Sequence, residues 1–204
     1  MTQPDVFSDS YAQARAKFLA AAASAGLAVQ SYPHPLPGRD GEALATDVVL
    51  DGPANAERLL IVTSACHGVE GFCGSGVQVD ALGNAAWRAQ AHAQGVAVLY
   101  VHALNPHGFS YQRRVTQENV DLNRNFQDFA QPLPVNEAYR ALHALVLPDH
   151  WPPDAANQTA VAGYISQHGI TAFQGAITRG QHEFADGLFY GGTAPTWSNQ
   201  NIRQ

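Results

Sequence analysis

The sequence predicts an α/β fold, with a mixed, largely buried sheet and helices on both faces. Two observations carry this. Arg58 to Ser64 and Val96 to Leu104 are runs with apolar middles, the mark of strands covered on both faces. Around them lie stretches whose apolar residues recur at helical spacing, so strands and helices alternate. With 204 residues, 46% of them hydrophobic, the chain can bury one substantial core, and residues 1–204 read as a single domain.

Each element has a local reason. Ser10 is placed to cap a helix from Tyr11 to Ala25, which Gly26 ends. Tyr11, Ala14, Phe18 and Ala22 fall on one face of it. Val29 to His34 reads as a strand, closed by Pro33, Pro35 and Pro37, and Thr46 to Leu50 as its partner beyond the turn Gly38-Arg39-Asp40-Gly41. After Arg58 to Ser64, a helix runs from Glu70 to about Ala81, weakened by Gly71, Gly74 and Gly76. Another helical stretch holds Trp87 and ends near Gln90. The strand Val96 to Leu104 leads into the turn Asn105-Pro106-His107-Gly108-Phe109. Arg113 to Phe126 is a polar loop, long for a compact domain, and such loops are often functional. Asn136 to Leu147 is a helix with Tyr139, Leu142 and Leu145 or Val146 inside. Thr159 to Gln167 and Ile170 to Ile177 are short helices, and Phe184 to Gln204 is a loop.

Composition excludes several classes. The net charge is -6 and the 11 lysines and arginines are scattered, so no basic stripe for nucleic acid exists. Asp5, Asp9, Arg15 and Lys17 break any signal-peptide pattern between Met1 and Gly26. No run approaches the roughly 18 apolar residues of a membrane span. Cys66 and Cys73 lack the spacing of a disulfide framework, so a reduced, cytoplasmic location is the default.

The chemistry centres on His67-Gly68-Val69-Glu70, directly after an apolar strand. At the start of a helix, residues i and i+3 share a face. An imidazole nitrogen and a carboxylate oxygen there can close on one zinc ion at about 2.0–2.2 Å each. The plainer reading is a capping glutamate beside a hydrogen-bonded histidine. Gly68, Gly71 and Gly74 let other groups approach. In open α/β sheets, sites lie at the carboxyl ends of strands, where His67 and Asn105 fall. Asp121-Leu122-Asn123-Arg124-Asn125-Phe126 offers a guanidinium fork for a carboxylate and an amide beside it, or else a surface loop in which Asp121 and Arg124 pair. Arg113 and Arg114 are adjacent and point in different directions.

The combination resembles the zinc carboxypeptidase family: a buried strand then H-x-x-E, a second strand then Asn-Pro-x-Gly-Phe, an arginine, and Asp-Leu-Asn-Arg-Asn-Phe. His67 to Phe72 and Gly187 to Gly192 look most like a bacterial carboxypeptidase-like branch of unassigned function, and the resemblance runs from about Ile61 onward. It implies a zinc-carboxypeptidase-like fold with Zn2+ as cofactor. His67 and Glu70 match two zinc ligands. Arg114 matches the arginine that polarises the scissile carbonyl. Asn123 and Arg124 match the pair that grips the substrate's terminal carboxylate.

The family's third zinc ligand is a histidine on a later strand, expected just beyond Ile202, and its general base is a glutamate on a strand later still. His143, His150, His168 and His182 lack that setting, and His182 with Glu183 is the least poor substitute. The chain therefore reads as the N-terminal part of a longer enzyme, inactive alone, with a C-terminal fragment or second chain completing the site. An exposed sheet edge would also invite self-association. A structural zinc on Cys66, His67 and Cys73 is a rival reading, as is simple burial of both cysteines. His102 reads as a strand histidine and His107 as a loop residue near the site mouth. The leading function is a zinc-dependent hydrolase cutting an amide bond beside a free carboxylate, acting on a peptide or an N-acyl amino acid. The alternatives are a deacylase of small N-acyl amino acids and a non-catalytic carboxylate-binding module.

Overall fold

The computed structural model describes residues 5–204. They form two compact units, one within Met1–Gln117 and Gln200–Gln204, the other Glu118–Asn199.

The first unit is mixed α/β. Helix α1, Tyr11–Ser24, is capped by Ser10, whose side chain accepts from the Gln13 amide. Its buried residues are Tyr11, Ala14, Phe18 and Ala22, the face the spacing predicts. Strands β1 (Gln30–Pro37), β2 (Ala43–Asp51), β3 (Arg58–Thr63) and β4 (Val96–His102) form one sheet in the order β1-β2-β4-β3. The β1–β2 and β2–β4 pairs are antiparallel, and β3–β4 is parallel. A parallel pair needs a long crossover; here it carries α2 (Gly71–Gly83) and α3 (Ala85–Ala93).

Buried carboxylates bind the helices to the sheet. Asp47 on β2 pairs with Arg15 of α1 at 2.7 Å, and Asp51 pairs with Arg88 of α3 at 2.7 Å. The Tyr11 hydroxyl donates to the Ala45 carbonyl at 3.0 Å and accepts from the Ala45 amide at 2.8 Å. Phe18, Val49, Leu82, Val98 and Tyr100 form a core beneath these helices, with Val62 and Trp87 at its margin.

Three expectations need correction. The β3 run is not covered on both faces: Leu59, Leu60 and Ile61 are 55%, 44% and 57% exposed. Its apolar sequence is that of an interior strand, but the sheet order puts it at an edge. The prolines do not close β1; they lie within it, and the pairing shifts register between Pro33 and Pro37. An edge strand tolerates proline because its outward amides need no ladder partner. Within this unit α1, α2 and α3 pack on one face of the sheet, that of Val49, Val98 and Tyr100. Leu50, Leu59 and Ile61 alternate to the other face and stay exposed.

Asn105, three residues beyond the end of β4, caps α4, Pro106–Ser110, by accepting from the Gly108 amide at 2.8 Å, so the expected turn is one short helix. The second unit carries α5 (Leu122–Asn125), α6 (Glu137–Val146), α7 (Ala155–His168) and α8 (Ile170–Thr178). Asn136 and Asp154 cap α6 and α7, and Gly169 at φ 85° stops α7. Tyr139 and Leu142 are buried as expected. The final stretch, read as a loop, contains α9, Trp197–Ile202. Among the described residues, no helix is long and apolar enough to cross a membrane.

Candidate functional site

The exit of β3 is closely constrained. Ala65 holds φ +55°, a conformation that costs a non-glycine residue about 1 kcal/mol or more and concentrates at functional sites. The Ala65 carbonyl accepts from the Asn105 amide at 2.9 Å, tying the two strand exits together. His67 then starts a tight turn, Gly68–Glu70, that leads into α2. Glycine is required here by close approach. A Cβ on Gly68 would overlap the Gly108–Phe109 backbone, and one on Gly71 would sit 2.7 Å from the Phe109 ring. The segment bearing His67 is therefore pressed onto α4.

His67 and Glu70 come together as the sequence predicts. His67 Nδ1 lies 3.3 Å from Glu70 Oε1, with His67 buried and Glu70 exposed. A charge-assisted hydrogen bond between such groups is usually about 2.7–2.9 Å. Two donors each about 2.0–2.2 Å from one tetrahedral ion are roughly 3.3–3.6 Å apart. The spacing thus fits two corners of a zinc site. The remaining corners are not supplied: among the described residues, no group of three or more His, Cys, Asp or Glu could hold a metal ion. The same finding removes the rival site on Cys66, His67 and Cys73. Nor are the cysteines both buried; Cys66 is half-buried and Cys73 exposed.

Arg114 also belongs to the first unit and is half-buried, while its neighbour Arg113 is exposed. Asn123 and Arg124 belong to the second unit, on α5. Asp121 caps that helix, its carboxylate accepting from the Asn123 amide at 3.0 Å. Asn123 is exposed. Arg124 donates from Nη2 to the Thr178 carbonyl at 2.7 Å and from Nη1 to the Asn123 carbonyl at 3.2 Å. Its side chain crosses Gly180, where φ is +85° and a Cβ would come 2.5 Å from Arg124 Cδ. Its buried Nε has no hydrogen-bond partner.

The weaker substitutes have structural roles. His182 Nδ1 bonds the Gly192 carbonyl at 2.7 Å, and Glu183 pairs with Arg140 at 2.9 Å. His143 stacks on Phe184, and His168 lies against Tyr164. His107 is on α4, buried and stacked on Tyr111, rather than in a loop.

The sequence reading missed two polar centres. Asn125 is fully buried: Nδ2 donates to the Gly191 and Ala194 carbonyls at 2.8 and 2.9 Å, and Oδ1 accepts from the Thr196 amide at 3.0 Å. Its carbonyl accepts from Asn199 Nδ2 at 2.8 Å. The second centre is Ser75, His102 and Asp47, with Ser75 Oγ 2.9 Å from His102 Nε2 and Asp47 opposite His102 in the β2–β4 register. All three residue types suit nucleophilic catalysis. However, each is sealed from solvent, and the Asp47 carboxylate is held by Arg15. Burial pushes the His102 imidazole down to about 4, so it stays neutral. Helical and strand periodicity mark such residues as merely interior, and nothing local announces their partners.

Among solved structures, the chain resembles thrombin activatable fibrinolysis inhibitor at 16% identity over 57% of this chain and 34% of that one, with a TM-score of 0.40. It also resembles glutaminyl cyclases. For that of Porphyromonas gingivalis the identity is 20%, over 51% of this chain and 48% of that one, with a TM-score of 0.31. For that of Tannerella forsythia it is 15%, over 60% and 50%, with a TM-score of 0.34. The chain thus spans 34–50% of the length of these structures. No curated protein matches it. The model of one family, described as a protein of unknown function, DUF2817, matches residues 7–204, and the chain belongs to that family.

Proposed function

We propose that this chain carries part of the site of a zinc-dependent hydrolase that cleaves an amide bond beside a free carboxylate, as a carboxypeptidase does. The observation that supports it most is the 3.3 Å separation of His67 Nδ1 and Glu70 Oε1. The strained Ala65 two residues earlier supports it as well. In this reading His67 and Glu70 hold zinc, Arg114 stabilises the oxyanion, and Asn123 with Arg124 receives the substrate carboxylate. Bound zinc would supply an activated water. The third ligand and general base come from a further segment or a second chain. The substrate is a peptide or an N-acyl amino acid, and the setting is the reduced cytoplasm.

A second reading is a carboxylate-binding module without catalysis. It is favoured by the lack of a third metal donor among the described residues.

Equilibrium dialysis against Zn2+ with elemental analysis tests the first reading. Wild type should retain zinc that Glu70→Gln loses, with unchanged melting temperature because Glu70 is exposed. Equal zinc in the two proteins would refute the metal role. Binding of N-acetylphenylalanine that is independent of zinc and lost in Arg124→Ala would favour the module.

A further inference from the structure

We infer that Gly180, seated by Asn136, is a positioning residue for Arg124 and holds its guanidinium in one orientation for the carboxylate of a substrate. This rests on the proposed role of Arg124 and extends it to two residues that act through that side chain.

The last carbonyls of a helix have no partner within it. In α8 each of them is satisfied, two by side chains from outside the helix. Gly175 and Ile177 accept from the Arg179 and Gly180 amides at 3.2 and 3.3 Å. Ala176 accepts from Asn136 Nδ2 at 2.8 Å, and Thr178 from Arg124 Nη2 at 2.7 Å. Asn136 Nδ2 also donates to the Gly180 carbonyl at 2.8 Å, while its Oδ1 caps α6 by accepting from the Tyr139 amide at 3.0 Å. Asn136 thus ties the start of α6 to the end of α8 and fixes Gly180 against Arg124.

This setting suits a receiver of anions. The Thr178 and Asn123 carbonyls are neutral, so they orient the guanidinium without cancelling its charge. The partial negative charge at the end of α8 attracts the same cation. A guanidinium has more N–H groups than these two bonds use. Gly180 closes another side. A Cβ there would lie 2.5 Å from Arg124 Cδ and 2.7 Å from Nε, closer than Cβ atoms approach, and the flexible arginine is what yields. Gly180→Ala therefore turns the guanidinium off the Thr178 carbonyl and leaves the surrounding backbone in place. Gly169 supplies the contrast. Its φ is also +85°, but nothing lies within 4 Å of its would-be Cβ. Alanine substitution strains the backbone alike at both positions and meets Arg124 at only one of them.

Isothermal titration with N-acetylphenylalanine and with its amide tests this. The ratio of the two affinities reads the carboxylate contact, and a general loss of folded protein does not move it. Wild type should prefer the acid, and Arg124→Ala should abolish the preference. Gly180→Ala should lower it about tenfold, the worth of one hydrogen bond to a charged group. Gly169→Ala should keep it, with a similar melting temperature to Gly180→Ala. Asn136→Ser retains a capping oxygen for α6 but loses the amide donor to α8, and should lower the preference severalfold. If wild type shows no preference, or Arg124→Ala retains it, the carboxylate role of Arg124 is wrong and the positioning falls with it. If Arg124→Ala abolishes the preference and Gly180→Ala leaves it intact, Arg124 keeps its role and Gly180 loses its own. An equal fall in Gly169→Ala would reduce the effect to backbone strain and overturn the proposal too. An unchanged ratio in Asn136→Ser would overturn the part given to Asn136.

Discussion

Ser75 Oγ lies 2.9 Å from His102 Nε2, and both residues are sealed from solvent. The contact joins the middle of α2 to the end of β4. Gln78, one turn further along α2, donates to the Val62 and Val101 carbonyls at 2.9 and 3.1 Å. Together these bonds fix α2, and with it the turn that carries His67 and Glu70.

This burial predicts acid sensitivity. Desolvation lowers the His102 pKa from 6.5 to about 4; the Asp47 carboxylate opposes the shift and Arg15 adds to it. The unfolded chain therefore binds the proton first. Stability is fully present above about pH 6.5 and is lost as pH falls toward about 4, by on the order of 3 kcal/mol from this group. Urea midpoints should fall between pH 7 and 5 in wild type and much less in His102→Gln. A flat wild-type midpoint over that range would contradict the account.

The two glycine classes should respond oppositely to alanine. Gly68→Ala drives a methyl into the Gly108–Phe109 backbone and should cost about 2 kcal/mol or more. Gly163 lies within α7 with nothing within 4 Å of its would-be Cβ, so Gly163→Ala should stabilise by about 0.5–1 kcal/mol. Paired thermal melts decide the matter, and a destabilised Gly163→Ala would be the surprise.

Asn125→Ala should open the Gly191–Asn199 segment. It removes an amide that makes four hydrogen bonds and strands the Gly191 and Ala194 carbonyls, at a cost of about 2–4 kcal/mol. Amide exchange should quicken at Thr196, whose amide loses its acceptor, while the Val98 and Tyr100 amides of β4 keep their protection. Unchanged protection at Thr196 would show that the segment is held otherwise.

Removing Arg124 tests its packing separately from any ligand. Arg124→Lys keeps the charge but loses the two-carbonyl fork, and should destabilise by about 1–2 kcal/mol through Thr178 and Gly180. Urea unfolding measures it. A neutral result would mean the guanidinium is free to leave those carbonyls for a substrate at no cost.

What the sequence determined by itself is local. The face of α1, the Ser10 cap, and the pairing of His67 with Glu70 are written within a few residues of one another. Backbone geometry over one helical turn is enough to realise them. Tertiary structure alone decided the rest. It made the apolar β3 an edge, admitted three prolines into β1, and gathered Asn125 with residues some 70 positions away. It also gave His182 and Glu183 to the Gly192 carbonyl and Arg140. The physical reason is that side-chain periodicity records how apolar a surface is, not which surface meets it. An interior strand and a strand awaiting a partner read alike until their neighbours are in place.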